Sequence, residues 1–153
     1  MGVRVQREDF DIGTEVRHLT AGRVDVGAIV TFTGTVRVGN EGRDILGMTL
    51  EHYPGMTEGE LARVEAEAAS RWPLQASLIV HRYGALKPGD NIVLVVTASA
   101  HREAAFAAAE FLMDYLKTSA PFWKKELGAD GKEHWVEARQ SDGAAAERWK
   151  KAD

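Results

Sequence analysis

Apolar residues recur along this chain in two rhythms, and each predicts a different element. Val3 and Val5 alternate with polar neighbours, as in a short first strand. Asp11 stands as a helix cap, with the helix running to about Leu19 and Gly22 closing it. From Gly27 to Arg37 the alternation is clear. Val30 and Phe32, then Gly34 and Val36, take one face, while Thr31, Thr33, Thr35 and Arg37 take the other. Gly34 marks a bulge or a close approach of another group. A polar, glycine-bearing loop (38–43) follows, and Ile45 to Tyr53 returns as a strand, so the two strands are predicted to pair as a hairpin.

The helical rhythm comes next. Thr57 with Glu60 reads as a capping box, with Met56 and Leu61 at the staple positions. Leu61, Val64, Ala68 and Trp72 form its apolar stripe, and Pro73 ends it. Ser77 to Arg82 and Asn91 to Thr97 are β-branched runs joined through the turn cluster Lys87-Pro88-Gly89-Asp90. Asn91 to Thr97 is almost wholly apolar, as in a central strand covered on both faces. Ser99 is the predicted cap of a long helix from His101 to about Lys117, with Phe111, Leu112, Tyr115 and Leu116 on its buried side. Pro121 stops that helix. Phe122 to Lys125 is a short extended segment. It puts Phe122 and Lys124 on one face, Trp123 and Lys125 on the other, and brings Lys124 near Lys117. Trp135 to Ala138 is a last strand, and the residues from Gly143 onward form a helical or frayed tail. Runs of strands mixed with single helices predict an α+β fold. Residues 1–153 are expected to form one domain, with 38–53 in a small β subdomain and 140–153 as a tail.

Composition narrows the function. Of 153 residues, 44% are hydrophobic and 27% charged, as in ordinary globular chains. A net charge of -4 argues against broad binding of nucleic acid or anionic membranes, so any anion site must be a local pocket. No apolar run reaches the roughly 18–20 residues of a membrane span, and the first eleven residues carry no apolar leader core. Cytoplasmic location is therefore expected. The absence of cysteine excludes disulfides, thiolate metal sites and a cysteine nucleophile or persulfide. No spacing matches a metal site or a nucleotide loop, and neither a metal nor a cofactor is expected.

Candidate chemistry is cationic. His101 and Arg102 begin a helix, where the dipole disfavours positive charge unless an anion binds there. Lys117, Lys124 and Lys125 surround the opposite helix end, Arg37 closes the polar face of its strand, and Arg139 follows the last strand. His52 and His81 lie within strands and read as packed histidines. Clustered cations lower a lysine's pKa, and a neutral amine is a nucleophile or base. These residues alone leave open an enzyme, an anion-binding module and a partner-binding module.

Several runs resemble one family. VTFTGTVR (30–37), LEHYPGM (50–56), RWPL (71–74), HRYGALKPGD (81–90), SAHR (99–102), MDYLKTSAPFWKKE (113–126) and WVEAR (135–139) are similar to the large, catalytic subunit of molybdopterin synthase, in that family's order. The resemblance implies an α/β hammerhead-type fold with an added antiparallel subdomain, and a homodimer at the centre of a heterotetramer. It implies a small ubiquitin-like sulfur-carrier partner with a C-terminal Gly-Gly thiocarboxylate, and cyclic pyranopterin monophosphate (precursor Z) as substrate. Two sulfurs would be transferred to form the dithiolene of molybdopterin. By the family pattern Lys117 is the main catalytic lysine and Lys124 assists it and holds substrate. His101, Arg102 and Arg139 bind phosphate and pterin, and Arg37 reaches toward the site. The chain departs from the pattern at Ser119, where some relatives carry a basic residue.

Overall fold

A computed structural model describes residues 2–40, 43–136 and 140–150. The elements in chain order are β1 (Gly2–Gln6), α1 (Ile12–Thr20), β2 (Ala28–Thr35), β3 (Gly39–Asn40), β4 (Arg43–His52), α2 (Met56–Arg71) and β5 (Leu74–Arg82). They continue with β6 (Gly84–Leu86), β7 (Asn91–Ser99), α3 (Arg102–Thr118), β8 (Phe122–Gly128), β9 (Glu133–Val136) and α4 (Gln140–Glu147). The fold is α+β with two sheets.

The first sheet has the order β1-β5-β7-β2, with β1 parallel to β5 and the other pairs antiparallel. As its apolar run predicts, β7 is central, and Val93 to Ser99 are all buried. One side of this sheet is covered by α2 and α3, whose Leu61, Val64, Ala68, Phe111 and Leu112 pack with Ile79, Val93 and Val95. The other side holds Phe10, Leu78, Val80, Leu94 and Val96, closed by Val16 and Leu19 of α1. Asp11 caps α1 as predicted, its carboxylate accepting from the Thr14 amide at 2.7 Å. In the second sheet the order is β3-β4-β8-β9, with β6 also on β4. Its inner face packs Ile45, Met48 and Leu50 with Val36 and Leu86.

Three local expectations are corrected. The strands β2 and β4 do not form a hairpin: β2 is the edge of the first sheet, while β4 pairs with β8. The exit of β2 is tied elsewhere, through bonds between Val36 and the turn residues Gly89 and Asp90. Alternation identifies a strand's buried face but not its partner. Thr57 does not cap α2. Gly55, at φ +83, precedes the helix, and its amide donates to Glu58. Thr57 is buried, and its hydroxyl bonds back to Tyr53. Met56 is exposed, so no staple forms. Ser99 does not cap α3, because its hydroxyl donates to the Pro73 carbonyl at 2.7 Å. The cap position belongs to His101, which makes no side-chain cap bond.

The tail is anchored. Trp149 packs edge-on against Trp72 and Phe111, and its indole N–H donates to Asp114 at 2.6 Å. Among the described residues no helix is long and apolar enough to cross a membrane.

Glu65 is a buried carboxylate that joins α2 to two strands. One of its oxygens accepts from the Gly2 amide at 3.1 Å and from the Ser77 hydroxyl at 2.7 Å. Burial raises its pKa above the usual 4.5, against the lowering effect of those bonds. The native state therefore holds this proton more tightly than the unfolded chain, and stability falls as pH rises from about 4.5 through the raised value. Glu65→Gln removes that dependence. Melting temperatures from pH 4.5 to 7.5 are expected to show the variant gaining on the parent as pH rises; a constant offset would contradict the assignment.

Candidate active site

The site is built at the end of α3. Alanines 104, 105, 108 and 109 are buried, and their small side chains let the helix lie close on β7. Thr97 of β7 fixes the approach by donating to the Ala105 carbonyl at 2.7 Å. The helix ends at Thr118, where the Ser119 amide donates to Tyr115 and the Thr118 hydroxyl to Asp114. Lys117 lies in this last turn, where a cation suits the dipole, and is exposed. Past Pro121 the Phe122 amide donates to the Ala120 carbonyl, and the chain enters β8 in the second sheet.

In β8, Phe122 stands opposite His52, and Lys124 opposite Leu50. Phe122, Lys124 and Glu126 thus share the inner face. Trp123 and Lys125 take the outer one, where Lys125 lies 3.4 Å from Glu133 and over the Trp135 ring, and the Trp123 indole donates to Glu51. As the sequence predicts, the turn brings Lys117 and Lys124 together and sends Lys125 away.

Between the sheets, below this turn, lies a cavity of about 300 Å³. Its cations are Arg37, Lys117 and Lys124. Thr35, Val93 and His81 come from the first sheet's strands or their ends, Leu50 and Glu126 from the second. Gly34 also borders it, at a bulge in β2. A Cβ there would meet the Val93 side chain at 3.0 Å, so the glycine permits the close pairing beside the cavity.

Two cavity residues escape the sequence reading. Glu126 is 2% exposed, a carboxylate buried two residues from Lys124. His81 is indeed packed, but it also borders the cavity. Its ring stacks on Phe122 with centroids 3.7 Å apart, joining the two sheets. Its Nδ1 lies 2.8 Å from the Arg82 carbonyl. Burial, with smaller effects from Lys117 and His52, pushes its pKa down to about 4 despite that bond, so the ring is neutral near pH 7.

The other cationic place is separate. His101 and Arg102 are exposed at the start of α3 and do not line the cavity. At 1.5 Å per residue, Arg102 stands about 22 Å from Lys117 along the helix. Arg139 lies outside the described residues. Among the described residues no cluster of His, Asp and Glu is arranged to hold a metal ion.

Together these features define an α+β protein with a lysine-bearing cavity at the junction of two sheets. The chain belongs to the MoaE protein family, whose model matches residues 5–119. It is 58% identical over 149 residues to the molybdopterin synthase catalytic subunit of Mesorhizobium japonicum, covering 97% of this chain and 92% of that one. Among solved structures it resembles the molybdopterin biosynthesis MoaE protein of Burkholderia ambifaria (TM-score 0.82, 52% identity, 97% of each chain). It also resembles molybdopterin synthase of Staphylococcus aureus (TM-score 0.80, 32% identity, 87% of this chain and 95% of that one).

The start of α3 depends on Gly27. Its amide donates to the Ser99 carbonyl, and a Cβ at this position would lie 2.2 Å from the Ala100 carbonyl oxygen. Gly27→Ala must shift the backbone that leads into His101 and Arg102. An overpacking cost of about 1–3 kcal/mol is expected, read as a melting temperature several degrees lower. An unchanged melting temperature would show that the two backbones separate freely.

Proposed function

We propose that this chain is the catalytic subunit of a molybdopterin synthase, an enzyme that transfers sulfur to a pterin. It moves two sulfurs from the C-terminal thiocarboxylate of a small ubiquitin-like carrier to cyclic pyranopterin monophosphate, forming the dithiolene of molybdopterin. The observation that carries this reading is the convergence of Lys117 and Lys124 on one cavity at the seam of the sheets. Both the thiocarboxylate and the cyclic phosphate are anions, and the chain as a whole is acidic, so a local cationic cavity is what selects them. A sulfur that arrives on a carrier also suits a chain without cysteine.

In this reading Lys117 stands at the thiocarboxylate carbon, as acid/base or as a transient acyl acceptor. Lys124 assists and holds substrate, and Arg37 adds a further cation to the same cavity. His101, Arg102 and Arg139 bind phosphate and pterin. The length of α3 then sets a condition. A side chain at the helix start cannot reach a substrate lying against Lys117 of the same chain, about 22 Å away. His101 and Arg102 can serve that cavity only from a second copy, which supports a homodimer at the centre of the assembly with one carrier per active site. Residues 1–153 act as one cytoplasmic unit, the 38–53 stretch contributing to the smaller β layer and 140–153 forming the tail.

The test is reconstitution with thiocarboxylated carrier and cyclic pyranopterin monophosphate, read by the fluorescent oxidation product of molybdopterin. Product is expected only with all three components. Lys117→Ala is expected to lower the rate at least about 10²-fold, as loss of a nucleophile or acid/base group does, with folding and carrier binding retained. Full activity of that variant would remove Lys117 from the mechanism.

A further inference from the structure

His81 is buried beside the cavity and held there by two contacts. It is 7% exposed, in the twice-covered part of β5. A carbonyl can only accept, so the Nδ1 atom facing the Arg82 carbonyl carries the hydrogen and the lone pair of the neutral ring lies on Nε2. The stack on Phe122, tilted by only 17°, fixes the ring plane, and the bond to the Arg82 carbonyl selects which way round the ring lies in it. Among the described residues no hydrogen bond is made at Nε2. His81 and Lys117 line the same cavity.

Lys117 has the opposite character. It sits on a four-carbon stem, exposed, with no hydrogen bond or ion pair among the described residues. An amine that attacks a carbon, or takes a proton beside it, must be aimed. The charged or titratable groups near the imidazole are Lys117 from α3, His52 from β4, Lys124 and Glu126 from β8, and Arg37 beyond β2. Most of these are cations. A protonated ring among them would repel the lysine, whereas a neutral ring offers it a fixed acceptor.

We propose that His81 positions Lys117: its Nε2 accepts an N–H of the lysine amine and turns the nitrogen toward the bound thiocarboxylate carbon. This rests on the functional reading above, so the experiment carries a readout independent of sulfur transfer. His81→Phe keeps a stacking ring and removes the acceptor. His81→Asn keeps a donor for the Arg82 carbonyl but has nothing at Nε2, and His81→Gln returns an acceptor near Nε2. The first readout is the rate at which Lys117 of the isolated full-length protein is acetylated by a water-soluble ester, measured by peptide mass spectrometry against exposed Lys132. The second is kcat and KM for thiocarboxylated carrier in the reconstituted reaction.

The Phe and Asn variants are expected to change Lys117 acetylation relative to Lys132 and to lower kcat by about tenfold, the worth of one hydrogen bond, with KM unchanged. The Gln variant is expected to recover part of both. If the Phe variant fails to fold, the Asn and Gln variants decide. Wild-type acetylation and kcat in a folded variant without the acceptor would overturn the proposal, as would a loss that Gln does not relieve. Altered acetylation with no product even from the parent protein would leave His81 as a partner of Lys117 and sink the sulfur-transfer reading instead.

Discussion

The seating of α3 on β7 is the contact from which the rest of the molecule takes its geometry. Small residues make it possible: four buried alanines bring the helix near the central strand, and the Thr97 hydroxyl reaches the Ala105 carbonyl. Phe111 and Leu112 then bury the lower half of the helix against α2 and the strands. A helix fixed so closely has a fixed end. Its last turn delivers Lys117 to the seam between the sheets, and the turn at Pro121 carries the chain across that seam into β8. The cavity exists because a single chain passes from the layer of one sheet into the other there, with Phe122 stacked on His81 to hold the two together.

That arrangement separates charge as well as residues. Cations gather around the cavity although the chain carries a net charge of -4. The opposite end of α3 holds His101 and Arg102, exposed and next to the free amides of the first turn. One rigid helix thus has an anion-favouring group at each end, too far apart for one small substrate to touch both within one chain. In the proposed dimer the start of one copy's helix lies near the end of the other's, and each cavity is completed by its partner.

Much of this was legible in the sequence. The apolar run from Asn91 to Thr97 announced the central strand, Asp11 announced a cap, and alternation after Pro121 placed Lys124 inward and Lys125 outward. What failed were questions that local pattern does not answer. The partner of β2 could not be read, because alternation says which face is buried and nothing about which strand lies alongside. Thr57 and Ser99 had the right chemistry for caps, but one hydroxyl turned to Tyr53 and the other to Pro73, both set by the tertiary chain path. Glu126 gave no signal, and His81 was legible as a packed histidine but not as a cavity residue. A histidine in a β-branched run looks the same whether apolar packing or a cavity lies over it. The separation of Arg102 from Lys117, by contrast, was implicit in the predicted helix length.

The central claim, that the two ends of α3 meet in one active site through two copies of the chain, has a direct measurement. Lys117→Ala and Arg102→Ala proteins are purified separately, mixed under conditions that exchange subunits, and assayed for molybdopterin formation with thiocarboxylated carrier and cyclic pyranopterin monophosphate. Each variant alone is expected to be strongly impaired. In a mixed dimer one of the two sites receives an intact lysine from one copy and an intact arginine from the other, so activity is expected to return. A mixture that exchanges subunits and yet stays as inactive as its parts would place both groups in a site made by one chain, and contradict the account.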